Sequence, residues 1–199
     1  SGGGGPTPTH CVPTTSGGST YYITNFTTTG GTTNINNSSG SSASGYQDFY
    51  NTVSMSANTG ATINYSISCS SSGSTYGRAI WVDWNENGTF EASEQMVSSS
   101  SYESSPLTGS FTIPAGTSSG TKRMRILASW TPSNPSDPCN NSGSGEYEDY
   151  KIIVSGGGGP TPTHCVPTTS GGFNYFIKKF TTTRGTNNIN NSSGRSASG

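Results

Sequence analysis

The sequence has few charged residues, few apolar residues and no cluster of basic ones. Charged side chains make up 10% of the chain and apolar ones 27%, and the net charge is −1. Because a phosphate backbone is bound by clustered lysine and arginine, we expect no nucleic-acid binding. No apolar run approaches the ~20 residues of a membrane helix and no signal segment opens the chain, so we expect no membrane insertion. The 10 tyrosines, 7 phenylalanines and 3 tryptophans favour a folded chain over a disordered one.

Histidine is also scarce. His10 and His164 occupy the same position in two copies of a Thr-Pro segment, which leaves no histidine for a buried Ser-His-Asp arrangement. Acids concentrate at Glu146, Glu148 and Asp149, and strand alternation places the two glutamates on one face and the aspartate on the other. Glycoside hydrolysis needs two carboxylates across a cleft, which nothing here indicates. We therefore expect no catalytic activity.

A long internal repeat organises the chain. Residues 1–45 recur as residues 155–199 with eight differences, and both copies open with SGGGGPTPTHCVPTTSGG. This indicates a tandem array whose period is 155 − 1 = 154 residues. Each opening predicts a junction, in which a glycine hinge precedes an extended Pro-Thr spacer. The predicted organisation is a junction at 1–19, a domain at 20–154, a second junction at 155–172 and the opening strand segment of a second repeat at 173–199.

The two copies differ in charge. Residues 1–154 carry five basic and ten acidic side chains (5 − 10 = −5), whereas residues 155–199 carry four basic and no acidic ones (+4). This complementarity favours head-to-tail contact between copies, although drift on solvated faces explains the same pattern. A segment with one or two strands cannot bury a core alone, so we expect residues 155–199 to rest on a neighbouring copy, as in strand donation. The predicted contact residues are Phe173, Tyr175, Phe176, Lys178, Lys179 and Arg184.

The pattern between the junctions is typical of an all-β fold. Short runs of Tyr, Ile, Val, Phe and Thr alternate with polar residues and are broken about every ten residues by Gly, Ser and Asn. We predict an Ig-like or jelly-roll-type antiparallel β-sandwich of about eight strands. Trp81 lies in the most apolar run and is expected in the core. The strands are predicted near residues 21–29, 46–57, 61–69, 78–84, 94–101, 109–113, 122–130 and 147–154.

Residues 83–94, DWNENGTFEASE, match the calcium-loop pattern D-x-[DN]-x-[DN]-G-x5-E. Oxygens at loop positions 1, 3, 5, 7 and 12 surround one Ca²⁺ in such a loop, and glycine at position 6 permits the sharp turn. Two of the usual acids are asparagine, which predicts weak affinity of the extracellular type. The alternative is an Asn-Gly hairpin turn that needs no metal. The predicted ligands are Asp83, Asn85, Asn87, the carbonyl of Thr89, and Glu94.

The four cysteines are Cys11, Cys69, Cys139 and Cys165, which allow three pairings. If the strands run strictly up and down, Cys69 and Cys139 lie at one end of the sandwich and Cys11 and Cys165 near the other. We therefore predict a Cys69–Cys139 disulfide, with Cys11 and Cys165 linking units to each other or to a neighbouring chain. The same argument places the junction at the end that holds the calcium-type loop.

Glycosylation sequons are frequent in this Asn- and Ser-rich chain. If the host glycosylates, the paired sites in NINNSS are the expected exposed acceptors. The candidate sites are Asn25, Asn36, Asn37, Asn64, Asn140, Asn190 and Asn191.

An ordered series of motifs resembles a known family. The stretch IWVDWNENGTFEASEQ is followed by FTIPAGTSSGTKRMRI and by a cysteine shortly before GEYEDYKIIV. The series resembles the GEVED domain, a module of large secreted bacterial proteins, over roughly residues 21–154. The resemblance implies a β-sandwich, an extracellular location and a role in surface, adhesive or multidomain proteins without catalysis. The family's loop is richer in aspartate, and its signature has valine where this chain has Tyr147.

Two functional hypotheses follow. The first is a non-catalytic extracellular structural protein, in which calcium-stiffened sandwiches assemble head to tail with copies of themselves into a fibre or surface array. The alternative is a carbohydrate-binding or adhesive module of a larger secreted protein. For that alternative, Trp130 and Tyr102 are the candidate exposed platforms for a glycan.

Overall fold

The computed structural model describes residues 9–15, 19–70, 74–131, 134–141 and 143–156, together with the backbone of residues 180–181 and 190–191. The chain divides into two compact units, Ser1–Thr161 and Pro162–Gly199. Within the described ranges no helix is long and apolar enough to cross a membrane. The predicted contact residues Phe173, Tyr175, Phe176, Lys178, Lys179 and Arg184 lie outside the described residues, as does Cys165.

The first unit is a β-sandwich. Its strands are β1 (Thr14–Thr15), β2 (Ile23–Thr29), β3 (Asn36–Ser38), β4 (Tyr46–Asp48), β5 (Ser54–Asn58), β6 (Thr62–Cys69), β7 (Thr75–Asp83), β8 (Gln95–Ser98), β9 (Glu103–Ser104), β10 (Leu107–Thr112), β11 (Gly120–Ser129), β12 (Asn140–Asn141) and β13 (Gly145–Ser155). A 3₁₀ turn, Ala92–Glu94, leads into β8. The smaller sheet has the strand order β10-β6-β2-β3, and the larger sheet the order β4-β13-β11-β7-β8, with β5 also paired to β13 and β9 to β7.

Alternating side chains build the core between the sheets. Along β6, Ile63, Tyr65 and Ile67 are buried, whereas Thr62 and Asn64 are exposed, as the two-residue period of a strand requires. The larger sheet contributes the opposite wall of the same apolar cluster. Its buried members include Ile80, Val82, Met124, Ile126, Tyr150 and Ile152.

The central strands of the larger sheet are buried on both faces. This explains the continuous apolar run at residues 79–82, because a strand covered on both sides does not alternate. On the outer face, the amino-terminal segment contacts Arg125 and Phe90, and the loop after β7 contributes Phe90 to an apolar cluster. Trp81 is buried, as predicted, in an outer cluster with Ala79, Phe90, Leu127 and Tyr147.

The prediction of an all-β sandwich is confirmed, and seven of the eight predicted strands are present as single strands. The predicted strand at residues 46–57 is instead two strands, β4 and β5, separated by a turn. The strictly antiparallel arrangement is wrong, because β4 and β5 run parallel to β13 and β1 runs parallel to β12. Sequence reasoning also missed β1, β3, β9 and β12. These strands are two or three residues long and polar, so they show no hydrophobic period.

The second unit contains a hairpin that also occurs in the first. In the first unit β2 pairs with β3 so that Phe26 lies opposite Asn37. In the second, β14 (Phe180–Thr181) pairs with β15 (Asn190–Asn191) so that Phe180 lies opposite Asn191. Phe180 lies 154 positions after Phe26 (180 − 26 = 154), and Asn191 lies 154 positions after Asn37 (191 − 37 = 154). The two hairpins therefore have the same register.

Candidate functional site

The predicted calcium loop joins two neighbouring strands of the larger sheet. Asp83 is the last residue of β7, and Glu94 ends the 3₁₀ turn before β8. Because β7 and β8 are antiparallel neighbours, the first and last loop residues lie at the same end of the sheet. Both carboxylates are buried, whereas Asn85, Asn87 and Thr89 are exposed.

Short polar side chains shape the loop by accepting backbone hydrogen bonds. Asp83 Oδ1 accepts from the amide of Asn87 (3.2 Å) and Oδ2 from that of Gly88 (3.0 Å). Asn85 Oδ1 accepts from the amide of Asn87 (2.9 Å), and Asn87 Oδ1 from that of Thr89 (2.8 Å). Gly88 has φ of 87°, a conformation that favours glycine. The loop is therefore a series of Asx-type turns.

Glu94 closes the loop from its far end. Its Oε1 accepts from the amides of Trp84 (2.8 Å) and Asn85 (3.4 Å), and its Oε2 from that of Glu91 (3.2 Å). Burial raises the pKa of Glu94, and its hydrogen bond with Glu91 adds to the rise. The hydrogen bond from Asn87 lowers the pKa of Glu91.

The oxygens of this loop suit a hard cation. A carboxylate or amide oxygen has two lone pairs, and Asp83 Oδ1, Asn85 Oδ1 and Glu94 Oε2 each accept one hydrogen bond from the described residues. Asn87 Oδ1 already accepts two, from the amide and the hydroxyl of Thr89. Carboxylate, amide and carbonyl oxygens are the ligands that Ca²⁺ takes. The residues present therefore fit calcium, with Asp83, Asn85 and Glu94 as the better placed side chains.

The amino-terminal segment reaches this loop. His10 Nε2 donates to Asp83 Oδ2 at 2.8 Å, and the His10 ring lies 5.0 Å from that of Phe90. The two side chains of the hydrogen bond are 12% and 2% exposed. The start of the unit and the first acid of the loop are thus in direct contact, at the end of the sandwich where strand alternation predicts the junction.

The acidic signature lies in β13, between β11 and the pair β4 and β5. Residues 145–150 are all buried. Glu146 and Glu148 face the core between the sheets, whereas Tyr147 and Asp149 face the outer cluster, as the alternation predicts. The signature is therefore an interior feature of the fold, enclosed on both faces.

A buried ion pair ties the signature to β11. Arg125 donates to Asp149 twice, from Nε to Oδ1 and from Nη2 to Oδ2, both at 2.7 Å. Arg123 Nη1 (2.7 Å) and the Tyr46 hydroxyl (2.9 Å) also donate to Oδ2. Arg125 and Asp149 are each 0% exposed. Each charge depends on the other, because a buried charge without its partner is strongly unfavourable.

Arg125 also holds the amino-terminal segment. Its Nη2 donates to the carbonyl of Cys11 and its Nη1 to that of Pro138, both at 2.9 Å. The guanidinium lies over the rings of Tyr46 and Phe90, 5.4 and 4.9 Å from their centroids. One buried cation therefore joins the signature strand, the start of the unit and the loop before β12.

Sequence reasoning missed Arg125. Its signal is a basic residue inside the run MRILA, where its neighbours on both sides are apolar. A buried arginine needs a carboxylate partner, and Asp149 in the signature is the corresponding acid. Without the pairing register of β11 and β13, which places these two residues opposite each other, the sequence does not identify the partner.

The predicted Cys69–Cys139 disulfide is wrong. Cys139 pairs with Cys11, with their Cα atoms 5.7 Å apart, and Cys69 is a free thiol. The prediction assumed strictly up-and-down strands, with Cys11 at the far end of the sandwich. Instead β1 runs parallel to β12, which begins one residue after Cys139, so the amino-terminal segment lies beside that cysteine. The prediction that Cys11 links units is also wrong, because Cys11 pairs within its own unit. A link between units through Cys165 stays a prediction.

The odd cysteine of the first unit is therefore Cys69. Burial raises the pKa of its thiol to about 12, and the carboxylates of Glu148 and Glu146 add to the rise. The thiolate is the reactive form of cysteine, so a thiol that stays protonated is a poor nucleophile. This cysteine is a partly buried residue that packs against the core.

Two glutamates of the signature face the core. The Glu146 carboxylate accepts from the amides of Ile23 (2.9 Å) and Ser42 (3.2 Å), which attaches the start of β2 to β13. Glu148 Oε2 accepts from the Tyr150 hydroxyl at 2.7 Å, while its Oε1 has no hydrogen-bond partner in the described part of the chain. Burial raises the pKa of Glu148 to about 7 and also raises that of Glu146.

We expect the sandwich to lose stability as the pH rises from about 4.5 to 7. Glu148 keeps its proton in the folded state up to about pH 7, whereas in the unfolded chain it ionises near the ordinary glutamate pKa of 4.5. The folded state then binds more protons, so the free energy of unfolding falls across this window, by about 3 kcal/mol for Glu148.

Denaturant unfolding at several pH values measures this loss. Glu148→Gln removes the buried ionisable group and should reduce the fall in the free energy of unfolding between about pH 4.5 and 7. Glu103→Gln, which removes an exposed glutamate, serves as the control and should retain it. An unchanged fall in Glu148→Gln would contradict the assignment.

The acids of the first unit do not form one surface patch. Of its ten acids, five are buried, namely Asp83, Glu94, Glu146, Glu148 and Asp149. Three exposed acids are paired with bases of the same unit, in the pairs Glu86–Lys122, Glu103–Arg78 and Asp48–Arg123. The charge of −5 counted from the sequence therefore overstates the acidity that a docking partner meets.

The candidate glycosylation sites differ in exposure. Asn36, Asn64 and Asn140 are exposed. The amides of Asn25 and Asn37 are engaged in hydrogen bonds, to the Asn37 carbonyl (2.9 Å) and the Tyr150 hydroxyl (3.0 Å). Only the backbone is described at Asn190 and Asn191. Among these candidates, the exposed acceptors of the first unit are thus Asn36, Asn64 and Asn140.

Comparison with known proteins identifies one family. The family model of the GEVED domain matches residues 77–153, which contain both the calcium-type loop and the signature strand. The resemblance noted in the sequence is confirmed over this stretch. No curated protein and no solved structure matches the chain.

Proposed function

Because residues 77–153 match the family model of the GEVED domain, we propose that the chain is a non-catalytic extracellular structural protein whose repeats join head to tail into a fibre or surface array. One observation carries the proposal. His10 and Cys11, at the start of the unit, are attached to the sandwich by the Asp83 hydrogen bond, the disulfide and Arg125. A chain entry fixed in this way would set the point on each sandwich from which the preceding junction starts.

Support for a non-catalytic role comes from the use of the signature acids. Glu146 binds backbone amides, Asp149 binds two arginines, and Glu148 is enclosed in the core. These contacts stabilise the fold. A general acid or nucleophile must instead reach the substrate.

In this proposal calcium stiffens the junction end of each sandwich. The ion would be held by Asp83, Asn85 and Glu94, with Asn87 and the Thr89 carbonyl completing the predicted set. Bound calcium supplies a positive charge that links both ends of the loop. Asp83 also accepts a hydrogen bond from His10. An ordered loop would therefore hold the start of the unit in place.

Residues 155–199 would dock on a neighbouring unit, but not in the place that residues 1–45 occupy in the first unit. Gly30 has φ of 96°, and a Cβ atom there would overlap the Thr62 carbonyl oxygen. The second copy has Arg184 at this position. Exchange of one copy for the other on the same sandwich is therefore disfavoured, and docking uses a different edge or face.

Electron microscopy tests the assembly. Filaments that form with calcium and disappear on chelation support both parts of the proposal. Filaments that persist in chelator would show that assembly does not need calcium. Separate particles under both conditions would overturn the proposed fibre.

Calcium binding has a direct thermodynamic test. We expect a Kd of about 10⁻⁴–10⁻³ M, because the loop carries few charges. At 10 mM Ca²⁺ this stabilises the fold by about 1.5–3 kcal/mol, measurable as a rise in Tm over protein in chelator. Asn85→Asp adds a carboxylate to the ligand set and should tighten binding, whereas Asp137→Asn, outside the loop, should leave it unchanged. Equal Tm with calcium and with chelator would overturn the site.

The alternative function, glycan binding, has one specific observation in its favour. Trp130 is 43% exposed and stacks on Tyr21, with centroids 5.1 Å apart and rings 10° from parallel. Tyr102 is also exposed. An exposed tryptophan that stacks on a half-buried tyrosine suits the apolar face of a sugar ring. Glycan binding that is lost in Trp130→Ala would favour this module over the fibre.

A further inference from the structure

The disulfide gives the first unit a short covalent route that runs from Cys11 through Cys139 to the end of the unit. The long stretch of chain between the two cysteines lies outside this route. Cys11 and Cys139 are 128 positions apart in the chain. Cys139 and Ser155, the last residue of β13, are only 155 − 139 = 16 positions apart. We infer that each unit carries tension through the disulfide and β13, while residues 12–138 stay outside the load path. The inference rests on the proposed head-to-tail arrangement, in which force enters at one junction and leaves at the next.

The chain between Cys139 and Ser155, which carries the load, can lengthen only slightly under tension. Of the residues between Cys139 and Ser155, the 11 of β13 already form a strand. A strand rises about 3.3 Å per residue, and a fully stretched chain reaches at most about 3.6 Å. Unfolding the sandwich therefore adds little to the distance between junctions while the disulfide is intact.

Both ends of the path are held firmly. At the entry, Arg125 binds the Cys11 carbonyl at 2.9 Å, and β1 pairs with β12 beside the disulfide. At the exit, β13 pairs with β11 from Gly145 to Val154 and with β4 and β5 on its other side. Ladder hydrogen bonds run across the strands, so tension along β13 loads them together in shear.

The sequence repeat extends the same path to the next unit. Cys165 stands 165 − 11 = 154 positions after Cys11, in the second copy of the junction. If the next unit forms the same pairing, the load path of each 154-residue period is the 165 − 139 = 26 positions from Cys139 to Cys165. The array would then be nearly inextensible under oxidising conditions and several times more extensible once reduced.

Single-molecule force spectroscopy of the full chain, held by peptide tags at its two termini, tests this inference. Cys165→Ser is used throughout so that no other disulfide forms with that residue. Stretched to its limit in oxidising buffer, the chain should be shorter than in reductant by the length of 128 residues, which is about 450 Å. The limiting length is independent of whether the reduced sandwich folds, so loss of folding does not hide the result.

Two variants separate the pairings. Cys11→Ser should show the long form without reductant, and Cys69→Ser should behave like the parent. A reductant-dependent gain of only about 250 Å, lost in Cys69→Ser, would assign the bypass to the 139 − 69 = 70 positions between Cys69 and Cys139 and overturn the inference. No gain in reductant would overturn it as well. Failure to form filaments would leave the length change intact, so the two proposals fail separately.

Discussion

Removing the Cys11–Cys139 disulfide is expected to lower the free energy of unfolding by about 5 kcal/mol. The bond closes a loop of 128 positions, and in the chain-entropy treatment a loop of this length restricts the unfolded state by about that amount. Cys139→Ser, compared with the parent by denaturant unfolding in non-reducing buffer, measures the loss. The effect is a large share of the roughly 5–15 kcal/mol that stabilises a domain, so the variant is expected to be marginal at about 37 °C.

Cys69→Ser is the matched control for this prediction. It removes a cysteine of the same sandwich that makes no disulfide, so its cost should be well below that of Cys139→Ser. Reductant provides a second control, since it should destabilise the parent and leave Cys139→Ser unchanged. If Cys69→Ser cost as much as Cys139→Ser and abolished the response to reductant, the pairing of Cys139 with Cys11 would be wrong.

Asp149→Asn should destabilise the sandwich by about 3–5 kcal/mol. The substitution preserves size but removes the negative charge that faces Arg125, which is 0% exposed, and Arg123. A buried cation then lacks its counter-charge, and this is the costly way to break a buried ion pair. Equilibrium unfolding in urea gives the magnitude.

The same molecule offers a close control. Asp48 pairs with Arg123 at 3.1 Å but is 42% exposed, so Asp48→Asn should cost less than about 1 kcal/mol. Similar losses for the two variants would show that burial does not set the strength of the pair. Because Arg125 contacts Cys11 directly, the effects of Asp149→Asn and Cys139→Ser are expected not to add.

The loop illustrates what a local pattern predicts well. The spacing of Asp83, Asn85, Asn87, Gly88 and Glu94 predicts a turn shaped by side-chain oxygens, and each of these residues takes part in it. All of these contacts lie within a dozen residues, so chain geometry alone brings the groups together. Affinity for calcium is a different property and stays a prediction.

The disulfide illustrates where such reasoning fails. Strand alternation tells which face a side chain points to, but it does not tell which strands are neighbours. The pairing of Cys11 with Cys139 depends on the parallel contact of β1 and β12, two strands of two residues each, far apart in the chain. Four polar residues carry no pattern that predicts this contact.

The sequence by itself determined the β-sandwich class, most of the main strands, the repeat and the chemistry of the loop, because each depends on alternation, spacing or identity within a short stretch. Only the tertiary structure decided the partners of Arg125, Cys139 and His10. These contacts join segments 24, 128 and 73 positions apart, and what places them is strand order and register. Burial then makes the Arg125–Asp149 pair costly to break, since a buried charge without its partner is strongly destabilising.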